Sequence, residues 1–145
     1  AGGQAIRFKA RDVREMGRTA GGVRAMRIRK GDRIISADVA KKTHKNPHLL
    51  TMSEYGFGKR TALHEYKVQG RGGSGIKTAK VTGKTGSLVV AKVVTDDDLE
   101  IIAMSKLSNV IRLALKEVPA LGRQTQGVRI MRLREKDTIA AFICL

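Results

Sequence analysis

Three arginines stand beside glycines at a repeated phase in this chain. Gly17-Arg18, Gly70-Arg71 and Gly122-Arg123 each open the frame Gly-Arg-x-x-x-Gly-Val/Ile, at intervals of 53 and 52 residues. Six positions beyond each arginine a second cation follows: Arg24, Lys77 and Arg129. Guanidinium and turn N–H groups delivered at a fixed interval can neutralise a row of phosphate oxygens without reading bases. The glycines also have a plainer reading, as turns that need φ > 0, and both readings hold together. Lys59-Arg60 adds two more cations. Arg7, Arg60 and Arg112 stand ten residues before the three glycines and five before the acids Asp12, Glu65 and Glu117, so they divide between phosphate contact and a structural ion pair.

The charge balance agrees with a polyanionic partner. Lys+Arg total 29 against 13 Asp+Glu, a formal net charge of +16 over 145 residues. The cations run from Arg7 to Arg134 instead of forming one tail, so the field belongs to a folded body. Hydrophobic residues make up 41%, enough to fill a core, which excludes a disordered arm. Only 3% of residues are aromatic and none is Trp, which argues against stacking single-stranded bases on aromatic platforms and for duplex. The rival reading is a small basic RNA-binding or ribosomal component, which shares this composition but not the repeats.

Other chemistry fails on context. Gly70-Arg71-Gly72-Gly73-Ser74-Gly75 satisfies G-x-G-x-x-G, but a dinucleotide site needs a helix N-terminus next, and Ile76 to Val81 reads as strand. Gly83-Lys84-Thr85 resembles the end of a P-loop, yet Thr78 occupies the place of its leading glycine. His44, His48 and His64 form no ligand set, and Cys144 is the one cysteine, so neither a zinc site nor an intrachain disulfide is expected. No nucleophile–base arrangement can be assembled, so no catalytic residue, metal or cofactor is expected. No apolar run reaches membrane-spanning length and no leader opens the chain, which predicts a cytoplasmic protein.

The elements that must carry these cations are β-rich repeats. The repeat frame extends upstream, where Leu49-Leu50-Thr51-Met52-Ser53 aligns with Ile101-Ile102-Ala103-Met104-Ser105; the first repeat lacks this segment and begins inside a module. Modules span about 1–40, 47–95 and 98–145, with turn-rich connections at Lys41 to His48 and Thr95 to Asp98. Leu88 to Val94, Leu99 to Met104 and Thr138 to Leu145 read as strands apolar on both faces, sandwiched between neighbours. Val128 to Leu133 breaks period two, and a bulge at Ile130-Met131 would return Met131 and Leu133 to the face of Val128 and Ile130; Val23 to Ile28 shows the same pattern. Several short strands per repeat of about 50 residues indicate four-stranded propeller blades or solenoid coils.

The residues then resemble a known family, the DNA-wrapping C-terminal β-pinwheel domain of the bacterial DNA gyrase A subunit, with the topoisomerase IV A subunit as near neighbour. Ala5-Ile6-Arg7-Phe8 with Met16 to Val23, Gly58 to Thr61 with Glu65 to Gly75, and Val110 to Leu113 with Gly122 to Arg129 carry the likeness. Gln69-Gly70-Arg71-Gly72-Gly73-Ser74-Gly75 is similar to the family's signature heptad, with Gly70 and Ser74 in place of basic residues. The resemblance implies an all-β pinwheel array of about three blades, and sequence-independent binding and wrapping of duplex DNA through Arg18, Arg24, Lys59, Arg60, Arg71, Lys77, Arg123 and Arg129. It also implies partnership with the remainder of the gyrase A polypeptide and with the gyrase B polypeptide. ATP, magnesium and the tyrosine nucleophile of supercoiling would then lie outside this chain, so neither Tyr55 nor Tyr66 is expected to be catalytic.

Overall fold

The computed structural model describes all of residues 1–145. Its strands are β1 (Gln4–Ala5), β2 (His48–Ser53), β3 (Phe57–Ala62), β4 (Ile76–Lys77), β5 (Leu88–Val94), β6 (Glu100–Ser105), β7 (Val110–Ala114), β8 (Val128–Arg129) and β9 (Ile139–Cys144). There is no α-helix. Single 3-10 turns at Ala10–Asp12, Leu63–Glu65 and Leu115–Glu117 recur at the same phase in each module.

Four-stranded blades are realised in an unexpected way. The sheet β5-β2-β3-β8 takes three strands from the second module and its fourth, β8, from the third. The same exchange occurs one step earlier, where β4 of the second module pairs with β1 of the first. All these pairings are antiparallel, with Phe57 opposite Arg129 and Gln4 opposite Lys77. The third module's own sheet, β7-β6-β9, has three strands.

The donated strands are short because each ends in a bulge. Ile130 and Met131 both donate their N–H to the Gly56 carbonyl, at 2.8 and 3.2 Å, and Thr78 and Ala79 do the same to Gly3, at 2.8 and 3.4 Å. The expected bulge at Ile130-Met131 is therefore present, but it sorts the side chains differently. Met131 is buried while Val128 stays 41% exposed. Val23 to Ile28 forms no strand, since it has no sheet to join; Gly72 and Gly73 reach it through two backbone bonds, Gly72 N–H to Ala25 and Arg27 N–H to Gly73.

The core lies between the sheets of the second and third modules. Leu50, Val94, Ile101, Leu115 and Val118 form one cluster, and Met52, Ala103, Met131 and Ile139 a second. Alternation in β2 and β6 sends Leu50 with Met52, and Ile101 with Ala103, into these clusters at 0% exposure. Burying each larger side chain stabilises the stack by roughly 1.5–3 kcal/mol. The reading of the long strands as sandwiched on both faces fails in two places: in Leu99 to Met104, where Leu99 is 71% and Met104 41% exposed, and in β9, where Ala140 and Ala141 are exposed and Ile143 is 55% exposed. Its second face meets solvent because no neighbouring sheet covers it.

Candidate nucleic-acid interface

Arg24, Lys77 and Arg129 occupy one phase of the repeat and all three side chains are exposed. Lys77 and Arg129 sit on the donated strands β4 and β8, so the strand exchange itself carries them onto the preceding module. Arg18 is also exposed. The ion pairs in the structure are Ala1 N-terminus with Asp32 and Arg112 with Glu100, so none of these cations is neutralised by a carboxylate.

The arginines of the Gly-Arg turns do something more specific than face solvent. Arg71 donates from Nε to the Asp12 carbonyl at 3.1 Å and from Nη1 to the Arg24 carbonyl at 3.0 Å. Arg123 donates from Nη1 to the Lys77 carbonyl at 2.9 Å. Each thus reaches back one module and grips the backbone of the residue that presents the next cation. Arg71 is exposed and Arg123 half-buried, so both retain guanidinium donors after these bonds.

Lys59 is the clearest departure from expectation. It lies on the inward face of β3 at 1% exposure, and its ammonium donates to the Gly122 carbonyl at 2.6 Å, the Arg123 carbonyl at 2.8 Å and Thr125 Oγ1 at 3.1 Å. A phosphate cannot reach it, and it leaves the candidate set. Burial pushes its pKa down to about 8, with Arg123 adding to the shift and the Glu65 carboxylate opposing it. The same carboxylate accepts the Arg123 N–H at 3.3 Å, so Lys59 and Glu65 together order the third module's Gly-Arg turn.

Arg7 and Arg60 do not pair with the acids five residues on. Arg7 donates from Nη1 to the carbonyls of Leu63 and Tyr66, at 2.9 and 3.2 Å, and Arg60 from Nε to the Val118 carbonyl at 2.8 Å. Both tie a module to the 3-10 turn of the next. Two of the acids serve the backbone instead: Glu65 accepts the Arg123 N–H at 3.3 Å and Glu117 the Ala114 N–H at 3.0 Å. Arg112 pairs instead with Glu100 across β6–β7.

The segment Gln69 to Gly75 is laced to the first module along its length. Gln69 donates to Arg7, Gly72 donates to Ala25, and Gly73 accepts from Arg27. Within it Gly72 and Gly75 hold positive φ whereas Gly73 does not. Three further cations, absent from the set expected from sequence, join the site. Lys84, Arg134 and Lys136 line a cleft with Arg129 over Phe57, with Lys84 Nζ 5.6 Å and Arg129 Cζ 5.2 Å from the ring centre. Of the three only Lys84 lies in a sequence motif, Gly83-Lys84-Thr85, which lacks the leading glycine of a phosphate loop.

Residues 1–41, 47–95 and 99–145 match the family described as "DNA gyrase C-terminal domain, beta-propeller". The chain belongs to this family. The DNA gyrase A subunit of Mycolicibacterium smegmatis is 47% identical over 144 residues, covering 98% of this chain and 17% of that protein. The DNA gyrase A subunit of Thermotoga maritima is 40% identical over 136 residues, covering 94% of this chain and 16% of that protein. The chain therefore spans about a sixth of these gyrase A relatives. A solved gyrase A C-terminal domain superposes with a TM-score of 0.88 at 32% identity, covering 99% of this chain and 47% of that one. The C-terminal domain of DNA topoisomerase IV superposes at 0.90 with 19% identity, a likeness of fold. The gyrase C-terminal domain fold explains why the modules repeat as blades of one array.

Proposed function

We propose that this chain binds and wraps duplex DNA without sequence preference, as part of the C-terminal domain of a gyrase A polypeptide, and so supports negative supercoiling by the parent enzyme. One observation carries the reading: the equivalent residues Arg24, Lys77 and Arg129 are exposed in successive modules with no carboxylate partner, in a chain of net charge +16. Cations spaced along a rigid array suit phosphates on a curved duplex. No helix is present to enter the major groove and read base edges, which favours backbone contact over sequence recognition. The 40–47% identity to gyrase A relatives supports gyrase over topoisomerase IV as the parent.

On this reading the chain catalyses nothing itself. ATP hydrolysis, magnesium and strand cleavage belong to the remainder of the gyrase A polypeptide and to gyrase B, its partners in the cytoplasm. No helix of the chain is long and apolar enough to cross a membrane.

Fluorescence anisotropy with a labelled duplex and a structured RNA competitor tests this. If about six phosphates are neutralised, affinity falls roughly a thousandfold between 50 and 200 mM salt, and Arg24→Ala or Lys77→Ala each lowers the salt slope by about one. A flat salt response, or tighter binding of RNA than of duplex, would overturn the proposal.

A further inference from the structure

We propose that the cleft between the second and third modules is a binding site for a phosphoryl group. It is a recess of about 400 Å³ whose floor is Phe57 and whose rim includes Tyr55. Lys84, Arg129, Arg134 and Lys136 converge on it, and none of the four forms an ion pair. Two of them stand over the same aromatic ring. Cations gathered this closely repel one another, and an anion seated among them relieves that repulsion while each cation contributes a charge-assisted hydrogen bond.

The one carboxylate at the cleft does not serve as that anion. Asp137 is buried and saturated: it accepts from Ser105 Oγ at 2.6 Å, Leu107 N–H at 3.0 Å, Asn109 Nδ2 at 3.1 Å and Thr138 N–H at 2.8 Å. Thr138 Oγ1, by contrast, is buried with no hydrogen-bond partner in the protein, leaving a hydroxyl free beside the recess. The cleft is also not a generic product of the repeat. At the first junction the places of Phe57, Lys84 and Arg134 are taken by Gln4, Gly31 and Thr82, which removes the aromatic floor and two of the four cations.

A backbone phosphate of a duplex and a free phosphoryl anion offer this site the same chemistry. The cleft shares Arg129 with the proposed wrapping surface, and the inference rests on that reading only through this residue, so the substitutions that test it are made at the other cations.

The test uses the whole chain with two probes, inorganic pyrophosphate and a short duplex, each followed by calorimetry and by the ring signals of Tyr55. Lys84→Ala and Arg134→Ala, with Lys84→Gln and Arg134→Gln as alternatives should an alanine variant melt early, are compared with wild type. Each is expected to weaken the bound probe about tenfold, the loss of one charge-assisted hydrogen bond, with unchanged melting temperature. Loss of both probes supports a site that a backbone phosphate also enters, whereas loss of duplex alone, with pyrophosphate affinity unchanged, places these cations on the wrapping surface only and overturns the cleft as an anion site. Loss of pyrophosphate alone supports a site for a free anion. Wild-type affinity of the variants for both probes overturns the proposal. Arg24→Ala and Lys77→Ala lie outside the cleft, so their effect on duplex binding reports on the wrapping surface separately.

Discussion

Replacing Lys59 with methionine removes a charge from the inner face of β3 while keeping the length of the side chain. The fold holds the Lys59 pKa at about 8, below the ordinary lysine value of 10.5 that the unfolded chain restores. Between these values the unfolded state binds more protons than the folded state, so the Lys59 contribution to stability rises with pH across this window; below about 8 the full penalty of burying the charge is in force. A shift of this size corresponds to at most about 3.5 kcal/mol, at about 1.4 kcal/mol per unit. The turn it holds is at the surface, with Gly122 and Thr125 exposed, so water screens part of that cost and roughly 1–3 kcal/mol is expected. Urea unfolding of wild type and Lys59→Met at about pH 7 and about pH 10 reads the difference directly, because titration of the other groups cancels between the two proteins. Wild type gains on the variant by that amount as pH rises. A stability difference that stays constant over this range would show Lys59 to be solvated and refute the reasoning.

Other substitutions separate the glycines and arginines by role. Gly127→Ala should cost about 2 kcal/mol or more, since φ is +83° and a Cβ would stand 2.5 Å from the Gly58 carbonyl oxygen, whereas Gly73→Ala, whose Cβ meets nothing nearer than Ile6 at 3.7 Å, should lower stability by less than about 1 kcal/mol; thermal melts distinguish them. Arg60→Ala loses its bond to Val118 and should cost about 1–2 kcal/mol in chemical denaturation, while Arg112→Ala breaks an exposed ion pair and should cost under about 0.5 kcal/mol. Burial pushes the Cys144 thiol up to about 11, so its labelling near pH 8 should run at least about tenfold slower than in the urea-unfolded chain.

What the residues reveal in advance is the local pattern. Continuous apolar runs and the alignment of the repeats place β2, β5, β6 and β9 to within a residue or two, because buried strands and the turns that bound them leave their mark on neighbouring positions. Which sheet a strand joins leaves no such mark. Val128-Arg129 pairs through backbone groups that every residue carries, so its membership in the second module's sheet is invisible in sequence. Carbonyl acceptors are equally silent, and the partners of Arg7, Arg60 and Arg71 cannot be foreseen. Lys59 is legible but misleading: in the repeat alignment its column holds Ile6 and Ile111, an inward position, while its neighbour Arg60 makes it look like surface. The candidate interface is thus readable as a set of repeating cations, while the division between those that face outward and those that fasten modules requires coordinates.

Strand exchange also fixes where the stiffness of the array resides. Since β8 completes the sheet of the module before it, and Arg60 and Lys59 bind the third module's backbone from the second, the angle between these two modules is set when the chain folds. On the proposed wrapping function, a duplex following such a rim would bend against a template that does not yield. The elastic cost, on the order of a few kcal/mol for each strongly bent site, then falls on the DNA, and released counterions must offset it. Raising salt should accordingly straighten the DNA away from the rim while the protein keeps its curvature.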